Sequence, residues 1–211
     1  MRTSLATFTA ARIAMFASFL VGGYFLTFDA GDYLRSITAD VYGRYWPMRH
    51  WLFLHIVTGS LALIAGAIQL CLAFLRRTTT LHRVMGRVYV ATVFVSCVAS
   101  LMVLQDGSVI GPAWVALLVI LASCALLFTA CGLLEARRRR WQRHAAWMIR
   151  SYMAMMVFAW FRLAWELPLL TNTPTGTRAA AILGLTMLIT LAGTEVALRR
   201  LGFIGQGRVW Q

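Results

Sequence analysis

Lysine is absent from this chain of 211 residues: all 20 basic positions are arginine, against seven acidic residues. Charge as a whole is scarce, at 13% of residues, where ordinary soluble domains carry about 25%. Prolines number four, no Gly/Ser-rich or Pro-rich linker divides the chain, and no segment is polar enough to form a soluble domain. A multidomain soluble protein is excluded. The four cysteines, Cys71, Cys97, Cys124 and Cys131, fall in apolar runs without CxxC spacing. They read as small buried hydrophobes and not as a disulfide framework.

What is abundant is hydrocarbon, with 60% hydrophobic residues and a mean hydropathy of +0.73. Six runs, roughly 8–28, 51–75, 84–105, 112–134, 147–170 and 179–198, are long enough to cross ~30 Å of hydrocarbon at ~1.5 Å per residue. The first is expected to be retained and not cleaved as a signal peptide. Arg12 interrupts it, and no small-x-small cleavage site follows. The expected architecture is all-α and integral to the lipid bilayer: one domain over residues 1–211, a bundle of six transmembrane helices.

Arginine placement orients the bundle. With a cytoplasmic amino terminus, the inner side collects Arg2, Arg12, the arginines of 76–87 and 137–150, and Arg199, Arg200 and Arg208. The outer side holds Arg35, Arg44, Arg49 and Arg178, beside Asp29, Asp32, Asp40 and Asp106. Fifteen against four is a strong positive-inside bias. Both termini are therefore expected in the cytoplasm, in the cytoplasmic (inner) membrane of a bacterium. The same bias disposes of a nucleic-acid partner. The net charge of +13 sits in short inter-helix loops, where anionic headgroups and topogenesis account for it.

The outer stretch 33–50 is too polar to span. Leu34, Ile37, Val41 and Tyr45 recur at helical spacing, and Tyr42, Trp46 and Trp51 suit an interface. This predicts a short interfacial helix between helices one and two.

Ionisable groups inside hydrocarbon are costly and usually face a bundle interior, so function is sought there. Helix two carries His55, Gly59, Gly66 and Gln69, which share one stripe, with His55 and Gln69 only about 40° apart. The glycines allow either close helix packing or room for a flat cofactor. Helix three opens "TTTLHRVMGRVY", with Thr79 or Thr80 placed to cap it. His82, Gly86 and Tyr89 share a face there, flanked by Arg83 and Arg87. Helix five repeats the scheme in "RHAAWMIRSY": His144 aligns with Arg162 five turns on, and Ser151 and Met155 lie within about 20° of that line. Arg162 and Glu166 stand i, i+4 and are expected to pair.

Two polar clusters result. The inner one gathers Gln69, His82, Arg83, Arg87, His144 and Arg150, with Glu195 beside it. The outer one gathers His55, Arg162 and Glu166, with His50 nearby. The hairpins 51–105 and 112–170 resemble an incomplete tandem duplication, since helix four has no counterpart of His55.

Three blocks, "HIVTGSLALIAGAIQL", "LHRVMGRVY" and "RHAAWMIRSYMAMMVFAWFRLAWELP", resemble in order a family of bacterial predicted membrane proteins classed as a domain of unknown function. The family's pattern falls on His55, Gly59 and Gln69; on Leu81, His82, Arg83, Gly86, Arg87 and Tyr89; and on His144, Trp147, Met148, Arg150 and Arg162. The likeness covers about residues 51–166. It departs in lacking a proline before Gln69 and in Ala145 and Ala146, where basic residues are usual. It implies membership and no activity.

Three functional readings follow from the residues. In the first, the protein transfers electrons in the membrane: His82 and His144 are axial ligands of one b-type haem near the cytoplasmic face. Neighbouring arginines then receive its propionates, small residues such as Gly86 and Ala145 leave room for the ring, and a quinone sits near His55 and Arg162. In the second, the chain is a non-catalytic accessory or assembly subunit of a larger respiratory or redox membrane complex. In the third, His55, Gln69 and Arg162 line a transport or proton path, against which stands the absence of broken helices and inverted symmetry.

Overall fold

The structure is a computed structural model that describes residues 5–75, 79–106, 111–168 and 171–203, leaving out the side chains of residues 5–8, 10–12 and 106. Of the charges used to orient the chain, Arg2, Arg76, Arg77 and Arg208 lie outside the described residues, as do the side chains of Arg12 and Asp106.

Apolar runs of this length have no water to satisfy their backbone, so they coil. α1 (Leu5–Tyr24) passes through a π-helical stretch, Phe25–Asp29, into α2 (Ala30–Arg35). α3 (Ala39–Tyr42) and a 3-10 segment, Gly43–Met48, lead into α4 (Arg49–Phe74). Then come α5 (Thr80–Val103), α6 (Pro112–Arg137), α7 (Trp141–Trp165) and α8 (Thr175–Arg200), and no strand occurs among the described residues. The all-α, six-helix expectation holds.

Five of these segments are long and apolar enough to cross a membrane. The sixth, α7, misses that standard because it carries Arg143, His144, Arg150 and Arg162. Its position compensates: α7 packs against α1, α4, α6 and α8, and its Met156 and Val157 are wholly buried. The most polar helix is the one its neighbours shield from lipid, as the cost of intramembrane charge requires. Around it, α4 pairs with α5 and α6 with α7 in two antiparallel hairpins, which make the largest helix contacts.

Local chemistry sets the helix ends. Pro112 opens α6 directly after Gly111, whose φ of 114° only glycine adopts readily. Thr79 occupies the N-cap of α5 with extended backbone, though its hydroxyl makes no cap bond. α7 stops at Trp165, short of the expected 170, because Pro168 follows. The turn between α6 and α7 is a Schellman motif. Arg140 N–H donates to Glu135 O and Arg139 N–H to Ala136 O, both at 2.9 Å. Its left-handed position is held by Arg139 (φ 57°), where glycine is usual.

Two boundary expectations are corrected. The first helical segment runs to Arg35 and not 28, its continuation made by the π-helical stretch. The interfacial segment is not one helix bearing Leu34, Ile37, Val41 and Tyr45 on a face. Ser36 and Thr38 are extended, and the Thr38 hydroxyl accepts the Val41 N–H at 3.4 Å, starting α3 anew. Tyr42 is the buried anchor there, donating to Tyr33 O at 3.0 Å.

Candidate functional site

His82 is the third residue of α5 and His144 the fourth of α7, so both stand at the arginine-rich end of the bundle. Their helices share neighbours, since α5 and α7 each pack against α4 and α6. His144 Nδ1 faces the carbonyl oxygen of Gly132 on α6 at 2.8 Å. A carbonyl only accepts, so Nδ1 carries the proton and Nε2 keeps its lone pair. His82 Nδ1 is buried with no hydrogen-bond partner, a costly condition that calls for an explanation. One ring oriented by a backbone carbonyl and a second with an orphaned nitrogen make a plausible ligand pair for a metal centre. No group of three or more His, Cys, Asp or Glu side chains that could hold a metal ion occurs among the described residues.

The glycine stripe of α4 does not leave a slot beside these rings. A Cβ on Gly66 would meet the rings of Tyr152 and Tyr89, one on Gly59 the Ser96 hydroxyl at 3.2 Å, and one on Gly86 the Gln69 amide nitrogen at 2.7 Å. The space is filled by protein, which corrects the expectation that Gly86 makes room for a flat ring. Gln69 uses it to donate to His82 O at 3.3 Å. The amide thus ties α4 to the first turn of α5 and holds the backbone of His82.

The arginines divide. Arg150 is committed to Glu195 on α8, donating through Nε at 3.1 Å and Nη2 at 2.8 Å, and its guanidinium lies 4.6 Å from the centre of the Trp147 ring. Arg83 and Arg87 are exposed on α5, and among the described residues Arg83 bonds only the Thr80 hydroxyl, at 3.4 Å. Of the arginines expected to meet a propionate, Arg83 and Arg87 keep a guanidinium to offer.

The expected outer cluster does not assemble. His55 is clamped to α5: its Nδ1 donates to Ser96 O at 2.9 Å, and the Ser96 hydroxyl donates back to His55 O at 3.2 Å. Arg162 pairs with Asp29 on the first helical segment, Nε to Oδ1 at 2.7 Å, and not with Glu166. The correction has a local cause. α7 ends at Trp165, so Glu166 sits at the C-cap and exposed, where its carboxylate is left to solvent. Asp29 reaches Arg162 from the last residue of the π-helical stretch, which re-aims side chains as such bulges do. The groove about this pair, about 410 Å³, is lined by Phe28, Asp32, Tyr33 and Arg35 among others and not by His55. His50 is exposed.

Residues 52–197 match the family described as predicted membrane protein (DUF2306). The chain belongs to that family. No curated protein and no solved structure matches it. In this family member the matched region runs from the first turn of α4 almost to the end of α8, so it contains both histidines of the inner pair, His55, Arg150 and Arg162. The first helical segment, with Asp29, falls outside it.

Sequence reasoning on this family member missed a hydroxyl chain through the bundle centre. Tyr89 Oη and Ser151 Oγ are 2.8 Å apart, Ser151 Oγ and Thr129 Oγ1 2.6 Å, and Thr129 donates to Ala125 O at 2.7 Å. All three side chains are buried, and they lace α5, α7 and α6 together. Tyr89 and Ser151 stood on the expected polar faces. Thr129 did not, because α6 reads as uniformly apolar. Its signal was the small-residue series Ala122, Ala125, Thr129 and Gly132 at helical spacing.

Proposed function

We propose that the protein is a membrane electron carrier whose α5 and α7 hold one b-type haem between His82 and His144, at the cytoplasmic face of a bacterial inner membrane. The carrying observation is the state of the two rings: at the same end of the bundle, His144 turns Nδ1 to Gly132 O and leaves Nε2 for a ligand, and His82 has a buried Nδ1 with no partner among the described residues. The donor chemistry fits the group, since two imidazoles can take its iron, and its ring would lie away from the Gly86 face that Gln69 fills. When bound, haem supplies one-electron transfer. The chain supplies the rest: Gly132 O orients His144, Gln69 holds the backbone of His82, and Arg83 and Arg87 offer cations at headgroup depth to carboxylates.

The test is an absorption spectrum of the full-length protein purified from a haem-replete host. A Soret band and a reducible α-band are expected, lost in both His82→Ala and His144→Ala and kept in His55→Ala. A colourless wild-type protein, or unchanged haem content in the double variant, overturns the reading. A second reading, an accessory subunit of a larger membrane complex, is favoured by the filled glycine stripe, which packing alone explains. A colourless protein that co-purifies with such a complex would establish it.

The orientation rests on the arginine bias. Reporter fusions after residues 140 and 205 should both read cytoplasmic, and a periplasmic signal at 140 would invert or break the six-helix topology.

A further inference from the structure

A groove of about 340 Å³ opens between α6, α7 and α8, lined by Phe128, Trp147, Arg150, Leu191, Thr194 and Glu195. Its walls are of two kinds. Phe128 and Trp147 stand with ring centres 5.7 Å apart and form an aromatic side, with Leu191 adding aliphatic surface. At its polar side lies the Arg150–Glu195 pair, in which only 16% of the arginine side chain and 34% of the carboxylate side chain is exposed. Both Arg150 bonds to Glu195 use Nε and Nη2, and Nη1 makes no hydrogen bond among the described residues. Glu195 Oε1 accepts only from Arg199 among the described residues, at 3.2 Å.

We propose that this groove binds the ring of an isoprenoid quinone. The chemistry matches in three respects. A flat ring needs aromatic and aliphatic faces, which Trp147, Phe128 and Leu191 give. Its carbonyl needs a donor and, in the reduced form, its hydroxyl needs an acceptor; Arg150 Nη1 and Glu195 answer to the two. A neutral ligand suits the lining, where one guanidinium stands against one carboxylate, whereas a lipid phosphate would favour the exposed arginines nearby, Arg199 among them. Depth agrees as well. Glu195 lies one turn from Arg199 and Arg200 at the end of α8, so the ring would sit at the headgroup boundary with its tail in hydrocarbon. Exposed Leu188 and Ile189 lie about one to two turns from Glu195 towards the bilayer centre. Trp147 stands about one turn along α7 from His144, yet the binding site rests on its own residues and not on the haem reading.

The experiment is photolabelling of the purified full-length protein in detergent with an azidoquinone, with the adducts mapped by mass spectrometry. Saturable label is expected on the segments around Trp147 and Leu191–Glu195, displaced by decylubiquinone and not by phosphatidylglycerol. Leu191→Trp, which fills the groove and leaves the ion pair intact, should weaken labelling at least about tenfold at unchanged helix content. Arg150→Gln should weaken it comparably through loss of a charge-assisted hydrogen bond. Should Arg150→Gln fail to fold, Leu191→Trp alone decides. Label that is not saturable, that is displaced by phosphatidylglycerol, or that survives Leu191→Trp overturns the proposal. Haem content is read separately on the same preparations, so failure here leaves the histidine reading intact, and the reverse.

Discussion

Arg162→Ala should lower stability by about 3 kcal/mol, the cost of leaving a half-enclosed carboxylate without its partner. Arg162 Nε donates to Asp29 Oδ1 at 2.7 Å, and the Asp29 side chain is only 14% exposed. Protein encloses most of it, so water replaces the lost guanidinium poorly. The pair also bridges the first helical segment to α7 across 133 residues of chain, so its loss frees the docking of that segment. Arg199→Ala is the control: its side chain is 70% exposed, and such pairs contribute at most about 1 kcal/mol. Thermal and denaturant melts in detergent should separate the two variants clearly. An Asp29→Asn, Arg162→Gln double variant, which removes both charges together, should recover much of the loss. Equal, mild effects of Arg162→Ala and Arg199→Ala would show that Asp29 is well hydrated and that the bridge does not anchor the first segment.

Gly66→Ala should be about as damaging, at about 3 kcal/mol, because it overpacks a site with no give. The new methyl would stand 2.7 Å from Cε2 of Tyr152 and 2.9 Å from Cε2 of Tyr89. Both rings are buried: Tyr89 cannot swing aside without breaking its hydroxyl's bond to Ser151 at 2.8 Å, and Tyr152 is packed edge-on against Phe19. Gly132→Ala makes the useful contrast. Its methyl would meet Met148 Sδ at 2.6 Å, but a thioether on an unbranched chain can move. That variant should lose under about 1 kcal/mol. If Gly66→Ala melts with the wild-type protein, the tyrosines have slack, and the glycine stripe regains its claim to house a flat ligand.

The faces of α5 and α7 were legible because a helix turns about 100° per residue whatever surrounds it. That rule placed His82 with Tyr89, and His144 with Ser151, and both pairs hold. The same rule misassigned Arg162: i, i+4 spacing names Glu166, but that carboxylate is exposed at the C-cap, and Arg162 takes the more enclosed Asp29 instead. It was also silent on Asp29, which enters through a π-helical stretch whose local register departs from 3.6 residues per turn. Thr129 escaped because a lone hydroxyl in an apolar run satisfies itself on the preceding turn as readily as it reaches a neighbour.

Membrane residence, helix number and the polar stripe of each helix follow from composition and period alone. Hydrocarbon offers the backbone no other way to satisfy its hydrogen bonds, and side chains then fall at fixed angles. Which stripes meet is a matter of rotation and depth, set when the helices pack. Small residues such as Gly66 and Gly86 admit particular neighbours, and each polar group takes the partner that this docking brings within reach. So the bond of His144 to Gly132, the commitment of Arg150 to Glu195, and the bridge from Arg162 to Asp29 belong to the tertiary structure. Their partners lie on different helices, and no local spacing encodes the contact.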